Sequence, residues 1–105
     1  MARREPAVPV IFRVYRSGHG KGDAVAIFPS VIGACHDRSV TVYEHVGQHG
    51  TARMIDMRQI TRPARPSEYR ALAKELRQVG YERLRVVKRD TPQYREQRER
   101  ECRGR

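Results

Sequence analysis

The sequence predicts a small α+β domain: a sheet of about four mainly antiparallel strands in the order β-β-β-α-β, one packed helix, and a charged C-terminal helix or tail. Three observations carry this. Short runs rich in β-branched residues occur at 10–16, 24–28, 40–46 and 84–89. One apolar stripe at helical spacing runs from Tyr69 to Val79. A loop dense in glycine, residues 17–23, separates the first two runs.

Residues 1–7 read as a flexible arm, 8–90 as the single domain and 91–105 as the tail. In VIFRVYR (Val10–Arg16), Val10, Phe12 and Val14 fall on one face, with Ile11, Arg13 and Tyr15 on the other. The loop Ser17–Asp23 (SGHGKGD) follows. Its glycine after Lys21 and the strand behind it depart from a phosphate-binding loop, which needs Ser or Thr and then a helix. AVAIF (Ala24–Phe28) is apolar enough for a central strand buried on both faces, paired with the first run as a hairpin. Pro29 is expected to end it, since proline donates nothing to a ladder.

VTVYEHV (Val40–Val46) is a third strand, with Val40, Val42 and Val46 on one face and Thr41, Tyr43 and His45 on the other. Gly47-Gln48-His49-Gly50 then turns the chain. Residues 51–61 fit no period cleanly and are expected to be a short extended piece.

The helix begins at Pro66, with Glu68 in the first turn where the helix dipole favours a carboxylate. Tyr69, Leu72, Ala73, Leu76 and Val79 form its stripe, and Gly80 ends it, with Tyr81 folding back on Leu76. The stripe is expected to cover Phe12, Val25, Ile27, Val42 and Val86, each burial stabilising by about 1.5–3 kcal/mol before entropy is counted. LRVVKR (Leu84–Arg89) is the last strand. Thr91-Pro92 repeats the helix-start signal, but the residues that follow are nearly all charged. Pairs such as Glu96–Arg100 contribute only about 0.2–0.5 kcal/mol each, so the tail is expected to be detached or frayed, or ordered by a partner.

With 105 residues, 38% hydrophobic, the chain builds one core and no more, and it holds no apolar run long enough to span a membrane. Net charge is +10, and all but Lys21, Lys74 and Lys88 of its 22 basic residues are arginine. Genomic codon bias accounts for the Arg-to-Lys ratio. It does not account for the excess over acids, which favours a nucleic-acid or acidic-protein partner. Cys35 and Cys102 lie far apart, one of them in the tail, so no disulfide is expected and the chain reads as cytoplasmic. The N-terminus has no apolar segment behind its charges, as a secretory signal would.

Tyr43, His45, Gln48 and His49 form the candidate polar cluster. With Cys35 and His36 upstream, Cys35, His36, His45 and His49 include ligand types that suit zinc. Their spacing is not that of a zinc finger, and the plainer reading is a polar strand end whose side chains hydrogen-bond the turn. A nucleophilic Cys35 beside a histidine has Arg38 close in sequence but no orienting carboxylate apart from Asp37. In the tail, Arg95, Arg98, Arg100, Arg103 and Arg105 alternate with Glu96, Glu99 and Glu101. The arginines are candidate contacts for an acidic partner, and the mixed signs equally describe a solvated helix.

HVGQHG (His45–Gly50), then RPARPSEYRALAKELRQVGY (Arg62–Tyr81), LRVVKR and the upstream AVAIFP resemble a family of small uncharacterised bacterial proteins, often encoded in phages, plasmids and other mobile elements. The resemblance covers roughly residues 10–90, and its most specific piece is the GQHG turn ahead of an EYxxLxxEL helix. It implies the fold, the domain extent and a setting in mobile-element biology, but no activity; Arg65 stands where Thr or Ser is expected as N-cap.

The expectation is therefore a basic, non-enzymatic binding protein for an acidic protein or nucleic acid, without a cofactor. Alternatives are a metal- or histidine-dependent site at Cys35, His45 and His49, and a homo-oligomer joined through an open sheet edge.

Overall fold

The computed structural model describes residues 7–18, 20–44 and 48–104; the arm at 1–6 lies outside them. The fold is α+β, with six strands and three helices among the described residues: β1 (Val8–Tyr15), β2 (Ala24–Ile32), β3 (Val40–Glu44), β4 (Gln48–Ala52), α1 (Met54–Ile60), β5 (Thr61–Pro63), α2 (Pro66–Gln78), β6 (Leu84–Val86) and α3 (Pro92–Arg103). Strand order is β4-β3-β2-β1-β5, all antiparallel, and β6 runs parallel to the first residues of β1. One long strand thus carries two short ones on its outer edge, β6 at Val8–Val10 and β5 at Arg13–Tyr15.

The β1–β2 hairpin forms as its sequence predicts, and Val25–Phe28 are buried on both faces. Pro29 does not end β2. The strand continues to Ile32 across a register shift between Phe28 and Ile32, and the shift accommodates a residue without an N–H. Residues 48–61 are likewise more structured than expected, comprising β4, α1 and the first residue of β5. Helix α1 buries only Met57 fully, with Met54 packed beside it, so its seven residues show too little periodicity to be recognised.

Helix α2 matches its expected bounds. Glu68 accepts the Arg65 backbone N–H at 2.8 Å, so the N3 carboxylate does the capping that Arg65 cannot. At the other end Tyr81 N–H donates to Leu76 C=O and Gly80 N–H to Arg77 C=O. This is a Schellman closure, with Gly80 at φ +123°.

The sheet is covered on both faces. Leu72, Ala73 and Leu76 of α2 pack on Val10, Phe12, Ala26, Phe28 and Tyr43. Phe12 stacks on Tyr69 (centroids 4.2 Å apart) and Phe28 on Tyr81 (4.8 Å). The opposite face holds Ile11, Val25, Ile27, Val40 and Val42 under Met57. Phe12 therefore lies beneath α2 as expected, but Val25, Ile27 and Val42 do not. Pairing sets Phe12 opposite Ala26 and Ile27 opposite Val42, which turns those three away from the helix. Val86 and Val79 are half exposed (49% and 50%), because β6 is an edge strand and Val79 already belongs to the helix cap.

The tail departs furthest from its sequence expectation. Helix α3 starts where Thr91-Pro92 predicts, with the Thr91 hydroxyl as cap accepting the Tyr94 N–H, but it is docked against β2 and not detached. The Arg98 guanidinium is buried, donates to Pro29 C=O at 2.5 Å and pairs with Asp90. Cys102 forms a disulfide with Cys35, where none was expected. A buried ion pair and a covalent bond hold a helix that has little apolar surface of its own.

Candidate functional site

The segment after β2 is tightly folded. Gly33 N–H donates to Ser39 C=O, Ala34 N–H to the Ser39 hydroxyl and Ser39 N–H to the Asp37 carboxylate. The Ser39 side chain first, and its backbone N–H to a lesser degree, hold the Asp37 carboxyl below its ordinary range. A side chain at Gly33 would meet Ser39 Oγ, Thr51 Cγ2 and Val40 C=O, each at 2.8 Å, so only glycine lets these strands close. Arg38 sits at φ +55°, a left-handed conformation unfavourable for a side-chain-bearing residue. The turn presents Cys35 and Arg38 to α3.

Between this turn and α3 lies a cavity of about 500 Å³. Arg38, Arg95, Arg98 and Arg103 line it, together with Glu99, Ile32 and the Cys35–Cys102 disulfide. The two half-cystines are half-buried, with the bond at the cavity wall. Arg98 is committed to Asp90, and Arg38 faces Glu99 at 3.4 Å. Among the described residues Arg95 and Arg103 have no ion-pair partner, so the cavity keeps unneutralised positive charge. Its chemistry suits an anion, which guanidinium groups hold through forked hydrogen bonds.

The polar cluster read from the sequence is divided by the fold. Tyr43 and His49 face each other across the β3–β4 ladder, ring centroids 4.8 Å apart and edge-on. His49 Nε2 is hydrogen-bonded to the Tyr81 hydroxyl at 2.8 Å. Tyr43 is buried, and its phenol is pushed up by burial first and by the adjacent Glu75 carboxylate second. Neither Tyr81 nor Glu75 belonged to the expected cluster. They reach it because α2 and its cap pack over Tyr43 and Phe28. His45 and the Gln48 side chain lie outside the described residues, and Gln48–Gly50 belong to β4 and not to a turn.

The zinc reading does not survive for Cys35, whose sulfur is bonded to Cys102. His36 is exposed beside Asp37, in the turn that precedes Val40. His49 pairs with Tyr43, at the other end of β3, about 10 Å away along the strand. Among the described residues no three His, Cys, Asp or Glu side chains gather as a metal site would require. The disulfide also removes a free Cys35 nucleophile.

Of the tail arginines, Arg95 and Arg103 line the cavity, Arg100 is exposed elsewhere on α3, Arg98 is structural, and Arg105 lies outside the described residues. Arg38 was visible in the sequence only as a neighbour of Cys35; nothing local marks it as facing Arg95 and Arg103.

No protein-family model, curated protein or solved structure matches the chain.

Proposed function

We propose that this protein is a small basic binding module, with no catalysis of its own, that takes an acidic partner: a nucleic acid or an acidic protein surface. The carrying observation is the arginine-lined cavity formed where α3 docks, in a chain of net charge +10. Docking turns the tail into a fixed platform, so the arginines are held in place before a partner arrives and less entropy is lost on binding. A setting in mobile-element biology accords with the resemblance carried by residues 45–50 and 62–81.

Titration of the oxidised protein with mixed-sequence single-stranded RNA, duplex DNA and poly-glutamate, at rising salt, tests the reading. Binding to at least one should weaken steeply with salt. With about six phosphates engaged, the loss is about a thousandfold between about 50 and about 200 mM. No binding at low salt, or binding indifferent to salt, overturns it.

Described helices include none long and apolar enough to cross a membrane. A cytoplasmic setting is part of the proposal, and there a disulfide belongs to the transient, redox-responsive class. A second reading rests on β4, which ends the sheet with no further strand beside it among the described residues. Pairing of two β4 edges would give a homodimer. A light-scattering mass of one chain removes that reading.

A further inference from the structure

The position of the disulfide in the arginine-lined cavity has a chemical consequence independent of any macromolecular partner. We propose that Cys35–Cys102 is an exchangeable disulfide whose cavity admits low-molecular-weight thiols bearing carboxylates.

Three observations support this. The bond lies at the wall of a cavity of about 500 Å³, large enough for a small thiol, and both half-cystines are only half-buried. Arg95 and Arg103 stand in that cavity without ion-pair partners among the described residues, and Arg38 is engaged only by an exposed contact to Glu99. The bond also tethers a helix with little apolar surface, so its cleavage has a structural effect.

The attacking species is a thiolate, itself an anion. Carboxylates on the same molecule add to its attraction towards the guanidinium groups and raise its local concentration. The thiolate bonds to one cysteine sulfur, and the electron pair of the broken S–S bond leaves on the other. That leaving thiolate emerges among the arginines, and such surroundings lower a thiol's pKa and make it a better leaving group. A second thiolate attacks the outer sulfur of the mixed disulfide and displaces the remaining cysteine. In sum, two small thiols become one small disulfide, and the protein disulfide takes up two electrons and the two protons those thiols release. Arg38, Arg95 and Arg103 bind and orient. The reductant is the thiol itself.

The oxidised full-length chain is treated separately with mercaptosuccinate (two carboxylates), 2-mercaptoethanol (neutral) and cysteamine (cationic) at low salt. Rates of disulfide loss are followed by acid quench and mass spectrometry, divided by thiolate concentration and referred to each thiol's rate with an uncharged model disulfide, which removes differences in intrinsic nucleophilicity. Mercaptosuccinate should react about tenfold faster than cysteamine, with 2-mercaptoethanol between them. The Arg95→Gln/Arg103→Gln variant should lose that order, whereas Arg100→Gln, on α3 but outside this cavity, should keep it. Equal rates for the three thiols overturn the proposal, as does an order that survives in Arg95→Gln/Arg103→Gln. Because no nucleic acid or protein partner enters the assay, its outcome is separate from that of the binding reading.

Discussion

Arg98 and Asp90 form a two-pronged ion pair, Nη1 to Oδ1 at 2.9 Å and Nη2 to Oδ2 at 3.1 Å, with side chains only 9% and 2% exposed. The same guanidinium also caps the Pro29 carbonyl at the irregularity in β2. One arginine thus joins the helix, the segment before it and a strand carbonyl left over by the register shift. Breaking a buried pair leaves an uncompensated charge, so Arg98→Ala should destabilise by about 3–5 kcal/mol in urea unfolding. Replacing both partners by apolar residues, Arg98→Met with Asp90→Leu, should recover much of that loss, since neither charge is then stranded. Equal instability of the single and double variants would show that the pair is not what holds α3.

The disulfide closes a loop of 67 residues by sequence separation. In the chain-entropy account, Cys35→Ser with Cys102→Ser should lower stability by about 4 kcal/mol. The loss should be concentrated at α3, where amide hydrogen exchange will accelerate before that of β1 and β2. Uniform acceleration across the domain would mean that α3 and the sheet unfold as one unit.

Glu68 gives a pH signature. Its paired contacts to Arg62 and, secondarily, its bond to the Arg65 backbone hold the carboxyl down to about 2 from an ordinary 4.5. A depressed folded-state pKa contributes stability that is fully present above pH 4.5 and is lost as pH falls towards 2. Glu68→Gln should therefore be less stable than the parent at neutral pH and converge with it near pH 2. Thermal melts of both across this range check the convergence, and a constant gap would assign the effect to packing.

Gly80 closes α2 at a positive φ, where a built side chain meets nothing within 4 Å. Gly80→Ala should consequently cost about 1–2 kcal/mol from backbone conformation alone, read as a drop in the urea midpoint without a change in slope. A near-neutral result would mean that the Schellman turn relaxes with little penalty.

Elements with local signals were legible in the residues alone. Leu72, Ala73 and Leu76 at helical spacing, Glu68 in the first turn and Gly80 after the last sufficed for α2. The apolar run Val25–Phe28 sufficed for the central strand. Thr91-Pro92 marked where α3 begins. These follow from residues within one or two turns of each other. Tertiary structure decided what depends on pairing across the chain. Strand register placed Val25, Ile27 and Val42 away from α2. The packing of α2 drew Tyr81 and Glu75 to Tyr43. The return of α3 to β2 made a disulfide of two cysteines that seemed too distant and joined Arg38 to Arg95 and Arg103 in one cavity. A helix polar all round shows no inward face by periodicity. Its docking rests on contacts to residues far away in sequence, among them the Arg98 guanidinium on Pro29, the Cys102 bond to Cys35 and Glu99 facing Arg38, and each partner is known only once the chain has folded.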